Sequence, residues 1–154
     1  MNINYKGLEH ERTQDAPFVG ALVSACDCKF DCTNCFNQKI KTLPTKTKDS
    51  VDIIKEITSN IFNKGIIFGG LEWTVQIDEL LNLSKIAKQN GLLTMLFTGH
   101  TFNYINTNYH YILDNIDYIK CGTYQEELSV INHIEYGVVL ATSNQHIYKK
   151  GVDY

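Results

Sequence analysis

The stretch FVGALVSACDCKFDCTNCFNQ, residues 18–38, joins a short apolar, β-rich run to a loop that holds four of the chain's five cysteines. The run follows Pro17 and reads as a buried strand, so the cysteines sit on the loop at its carboxyl end. An odd cysteine count, with Cys121 far from the others, fits a reduced compartment better than a disulfide framework. The cluster is therefore read as thiolates, which as soft ligands select zinc, copper(I) or iron–sulfur centres. Cys28, Cys32 and Cys35 are spaced C-x3-C-x2-C. Three ligands for four irons would leave one iron open to substrate, as in open catalytic metal sites generally. Two alternatives stay open: Cys26 adds a fourth thiolate, enough for a closed structural zinc site, and all four cysteines on a cluster would make an electron carrier.

Beyond the loop, hydrophobic periodicity alternates between helix and strand. Residues 49–64 predict an amphipathic helix with Val51, Ile54, Ile57 and Ile61 at helical spacing, Asp49 or Ser50 as cap and Gly65 as its stop. The run IIFGG at 66–70 predicts a strand. A second helix over 76–90 carries Ile77, Leu80, Leu81 and Ile86 inward and ends at Gly91. LLTMLFTG at 92–99 reads as a strand, 101–115 as a weaker helix capped by Thr101, YIKCG at 118–122 as a strand, and YGVVLAT at 136–142 as a further one. Residues 143–154 read as a polar tail. This alternation predicts an α/β fold with a mostly parallel sheet, in one domain spanning 1–154 without a linker or repeat. Ligands of such sheets bind at the carboxyl ends of the strands, where the cysteines, Gly69-Gly70 and Thr98-Gly99 all lie.

With 44% hydrophobic residues and a formal charge of −3, the chain can bury a core and lacks the basic stripe of a duplex nucleic-acid binder. Its N-terminus has no secretory pattern and no apolar run reaches membrane-spanning length, so a cytoplasmic protein with no membrane partner is expected. Cys121 reads as a small buried hydrophobe. His100, His133 and His146 have no metal-like spacing and read as surface or loop residues. The tyrosines between 104 and 118 read as packing, and Glu126-Glu127 as a solvated turn that could face a partner.

The cysteine loop resembles that of the radical S-adenosylmethionine enzymes. CTNCFN, LFTGHTF, YIKCGTYQEEL and ATSNQHIY are similar, in order, to segments of the activating protein of anaerobic (class III) ribonucleotide reductase, over about Phe18 to Tyr148. That resemblance implies a 4Fe-4S cluster on Cys28, Cys32 and Cys35, with the open iron chelating S-adenosylmethionine. Reductive cleavage would give a 5'-deoxyadenosyl radical that takes a hydrogen from a glycine of the reductase large subunit, using a low-potential electron donor such as flavodoxin. Gly69 and Gly70 would approach the methionine amino group; Asn34, Cys35 and Phe36 would flank the adenosyl part; Thr98 would stand on the same rim. The implied fold is an incomplete (β/α) barrel, its open side admitting the glycine-bearing loop, since a closed barrel takes about 250 residues. Activation of another glycyl-radical enzyme is the nearest alternative, and a zinc-binding interaction module the alternative outside enzymes. The sequence departs from the family where Leu71 separates Gly70 from Glu72, where SACDC makes Cys26 compete with Cys28, and where His146 takes the place of a frequent arginine.

Overall fold

The computed structural model describes residues 1–154. In chain order its elements are β1 (Asn2–Tyr5), β2 (Gly7–Arg12), β3 (Gly20–Ser24), β4 (Lys46–Asp49), α1 (Ser50–Ser59), β5 (Gly65–Gly69), α2 (Ile77–Gln89), β6 (Leu93–Thr98), α3 (Phe102–Asn108), β7 (Tyr118–Cys121), β8 (Ile134–Glu135), β9 (Val138–Val139) and β10 (His146–Lys149). The main sheet has six strands in the order β10-β7-β6-β5-β3-β2. Its four central strands are parallel, and β2 and β10 pair antiparallel at the edges. The chain is thus mixed α/β with a mostly parallel sheet, and no closed barrel forms. No helix is long and apolar enough to cross a membrane.

Strand alternation divides the core between the two faces of the sheet. Val23, Ile66, Phe68, Leu96 and Ile119 face the helices and pack against Ile53, Ile54 and Ile57 of α1 and Leu80, Leu83 and Ala87 of α2. Trp73, fully buried in this layer, donates its indole N–H to the Val23 carbonyl at 3.1 Å. The opposite face carries a much smaller cluster, Ile67 and Met95 with Val138, Leu140, Ile147 and Ala16. Helices thus cover one face, while loops and a short hairpin only partly cover the other.

Four sequence expectations are corrected. The first helix ends at Ser59, not Lys64, leaving Val51 46% and Ile61 75% exposed, with Ile53 taking an inward place. Asn60 breaks it: its side chain accepts from the Phe62 amide at 3.0 Å, and Asn63 donates to the Ile57 carbonyl at 3.0 Å, so local side chains replace the helical bonds. The 101–115 segment is a short α3, capped as expected by the Thr101 hydroxyl, followed by a separate 3-10 turn. Within 136–142 only Val138–Val139 is strand, paired with β8 outside the main sheet. The last strand comes instead from the polar tail, where β10 pairs with β7 and buries Ile147. The N-terminal strands were also unread, although Ile3 and Tyr5 alternate inward in NINY.

Asp117 joins α2 to the sheet: its carboxylate accepts from Lys88 Nζ at 2.7 and 2.8 Å and from the Thr94 amide at 2.9 Å. Asp117→Ala should lower stability by about 1–3 kcal/mol through the unpartnered donors left behind, read as a shifted urea midpoint at constant slope.

Candidate metal centre

The cysteine loop is anchored at both sides of its entry. The Ala25 amide donates to the Gly69 carbonyl at 3.1 Å, the Glu72 amide donates to the Asp27 carbonyl at 2.9 Å, and Gln76 Oε1 accepts from the Cys26 amide at 2.9 Å. Further along, Phe30 lies against Gly99 so closely that a Cβ there would stand 2.6 Å from its ring. Glycine at 99 is what lets the loop fold back over the end of β6.

All five cysteines are free thiols. Cys28, Cys32 and Cys35 line one cavity of about 160 Å³ together with Gly70, Glu72, Thr98 and Lys120. Cys26 does not: it stands beside Lys6 and Thr45, away from that wall. Burial pushes the thiols of Cys26, Cys28 and Cys32 up, and Cys35 adds to the effect at Cys32. The loop cysteines are not among the side chains whose ligand atoms converge within 4.8 Å of one another. One zinc ion with bonds of about 2.3 Å would need tetrahedral thiolates about 3.8 Å apart. Three thiolates on one cavity wall, with Cys26 off it, are one short of a closed four-thiolate zinc site.

The other anticipated residues divide. Thr98 and Phe36 line the cavity, Phe36 being 75% exposed and tilted on Tyr124 with ring centres 4.8 Å apart. Gly70 lines it with φ +75°, and a Cβ there would meet Ser24 Oγ at 2.4 Å. Gly69 ends β5 outside the lining, between Leu22 and Phe97. Asn34 is also outside it: in the left-handed region at φ 56°, it donates to Glu126 at 2.8 Å and so ties the loop to the Gln125–Leu128 turn. Glu126 is therefore a loop anchor as well as a surface charge.

Two cavity residues have no role assigned from the sequence. Glu72 is only 3% exposed, and its carboxylate accepts from Thr98 Oγ1, Thr74 Oγ1 and the Gly99 amide at 3.0, 2.8 and 2.8 Å, locking the ends of β5 and β6 together. Lys120 points into the same wall over the Phe97 ring at 4.9 Å, and burial pulls its ammonium pKa down. Nothing in YIKCG separates this lysine from a solvent-facing one; only the face of β7 does. An ammonium in such a wall suits an anionic ligand group.

His100 stacks on Tyr104 at 4.1 Å and meets Phe30 edge-on at 4.9 Å. Burial lowers its pKa from 6.5. A histidine depressed in the fold gives stability that is fully present above the unfolded value and is lost as pH falls through the folded one. Acidification below about pH 6.5 should therefore destabilise the native protein more than a His100→Gln variant, compared by urea unfolding at pH values on both sides.

A family model described as a 4Fe-4S single cluster domain matches residues 19–148. That span runs from β3 into β10 and takes in every wall of the cavity. No curated protein matches the chain.

Proposed function

The chain belongs to the 4Fe-4S single cluster domain family, and on that premise we propose that this iron–sulfur protein is a radical S-adenosylmethionine activase that installs a glycyl radical on anaerobic ribonucleotide reductase. The observation that carries the reading is the selective convergence of Cys28, Cys32 and Cys35 on one cavity while Cys26 stands apart. Three thiolates would hold the cluster and leave one iron for the amino and carboxylate groups of S-adenosylmethionine. With both bound, the centre supplies a one-electron cleavage of the sulfonium and hence a radical able to abstract hydrogen from glycine.

The chain's own residues would do the positioning. Gly70 brings backbone to the cavity without a side chain, Lys120 offers an ammonium to the ligand's carboxylate, and Phe36 gives the adenosyl part an apolar face. Glu72 holds Thr98 and Gly99 in place behind them. The thinly covered face of the sheet is read as the inside of an incomplete (β/α) barrel, through which the large reductase subunit would present its glycine. A low-potential donor such as flavodoxin would deliver the electron in the cytoplasm.

The test is anaerobic: the protein reconstituted with iron and sulfide, reduced with dithionite and given S-adenosylmethionine, is mixed with the large reductase subunit and examined by electron paramagnetic resonance. A glycyl-radical doublet that needs all components is expected. S-adenosylmethionine cleavage without a doublet would move the proposal to another glycyl-radical enzyme, and no cleavage at all would reject the radical reading. Lys120→Ala should raise the S-adenosylmethionine concentration for half-maximal cleavage by about tenfold or more, the loss of one charge-assisted contact of about 1.5–3 kcal/mol.

A further inference from the structure

Outside the cysteine cavity, His133, Glu135 and His146 bring three ligand atoms within 4.8 Å of one another. We propose that these residues form a second metal site, for a divalent ion of zinc type, which pins the β8–β9 hairpin to the edge strand β10. Glu135 Oε2 lies 2.9 Å from His146 Nδ1 and 3.5 Å from His133 Nε2. A tetrahedral ion with bonds of about 2.0–2.1 Å places its ligand atoms about 3.3–3.4 Å apart, between those two distances. Two imidazoles and a carboxylate form a borderline donor set of the kind that binds zinc, and their spacing fits one ion.

The surroundings orient the set. Glu135 Oε1 accepts from the Ile147 amide at 2.9 Å, which fixes the carboxylate and leaves Oε2 directed at the two rings. Those rings stand nearly perpendicular, at 83° with centres 5.7 Å apart, so they approach the carboxylate from different directions. His133 Nε2 is 2.8 Å from the Gln145 carbonyl. A carbonyl only accepts, so Nε2 carries the proton in the metal-free state, and holding an ion there requires the other neutral tautomer, with the proton on Nδ1. His146 is half exposed, which leaves the ion a way in.

The local backbone gives the staple something to do. Both strands of the hairpin are two residues long, and its turn places Tyr136 and Gly137 at φ 50° and 77°, with Asn132 at 62° just before His133. A hairpin of that length is marginal by itself. Gln145, which His133 touches, also lines the cysteine cavity and donates to the Gly122 carbonyl at 3.3 Å. An ion here would therefore fix one wall of that cavity from outside, whatever reaction takes place within it.

The test uses the full chain with its cluster reconstituted and stray metal removed. Zinc is titrated in competition with a chromophoric chelator, and cobalt(II) is titrated in parallel for its spectrum. One zinc per chain is expected beyond the cluster, with a cobalt spectrum lacking thiolate charge-transfer bands. His146→Ala and Glu135→Gln should each weaken binding by at least ~10- to 100-fold, the cost of losing even a supporting group at a metal site. A Cys28, Cys32, Cys35 triple alanine variant should bind zinc as the parent does, which separates this site from the cysteine loop if the cluster fails to assemble. No zinc uptake, thiolate bands in the cobalt complex, or affinity unchanged by His146→Ala would each overturn the proposal.

Discussion

Alanine at Cys28, Cys32 or Cys35 should abolish iron–sulfur absorbance and all reductive cleavage of S-adenosylmethionine, while Cys26→Ala should keep both. The contrast follows from placement. The first three share a cavity wall; Cys26, two residues before Cys28, is turned toward Lys6 and Thr45. In the sequence Cys26 competes with Cys28 as first ligand, only Cys28 keeps the three-residue gap to Cys32, and a closed four-thiolate site needs both. Iron and sulfide content, visible absorbance and 5'-deoxyadenosine yield would be measured on all four variants after identical reconstitution. Cys26→Ala should change unfolding free energy by no more than about 0.5 kcal/mol, as for a partly exposed side chain without a buried partner. If it instead loses the cluster as completely as the other three, Cys26 is a ligand, no iron is left open, and an electron-carrying or zinc-holding module replaces the enzyme.

What could be read from the sequence was whatever a short window encodes. The parallel centre of the sheet was legible because each strand is an apolar run bounded by glycine, and α2 because Leu80 and its neighbours repeat at helical spacing. The clustering of Cys28, Cys32 and Cys35 was legible for the same reason, all three lying within one loop. Edge strands were not: β10 shows a single buried apolar residue, Ile147, among polar ones, and its pairing with β7 is a long-range fact. YGVVLAT carries strong β-propensity, yet it adds no strand to the main sheet: Val138 and Val139 pair with β8, Thr142 makes an isolated bridge to Ser129, and the tail occupies the open edge of β7. The partners of Glu72 and Asn34 lie 26 and 92 residues away, and no local pattern announces them. The same holds for His133, Glu135 and His146, whose sequence spacing matches no familiar metal motif but which a hairpin and a neighbouring strand bring together.

Glu72→Ala should be among the most damaging substitutions outside the cysteines, costing on the order of 3–5 kcal/mol, because several buried donors lose their acceptor at once. Glutamine does not rescue it. Oε2 accepts from the Gly99 amide at 2.8 Å, and Oε1 from the Thr74 amide at 3.2 Å. Whichever way a glutamine amide is turned, its NH2 therefore faces a backbone N–H. The threonine hydroxyls can rotate to accept, but a backbone amide cannot. Glu72→Gln should thus cost about 1–3 kcal/mol, one unsatisfied buried donor. The effect should reach the reaction because Gly99 is where Phe30 of the cysteine loop seats. Urea unfolding and 5'-deoxyadenosine yield per assembled cluster would be measured together. A glutamine variant with parental stability would mean that one of the two amide bonds is not made. A destabilised variant with undiminished yield per cluster would mean that the end of β6 does not position the ligand, confining Glu72 to the fold.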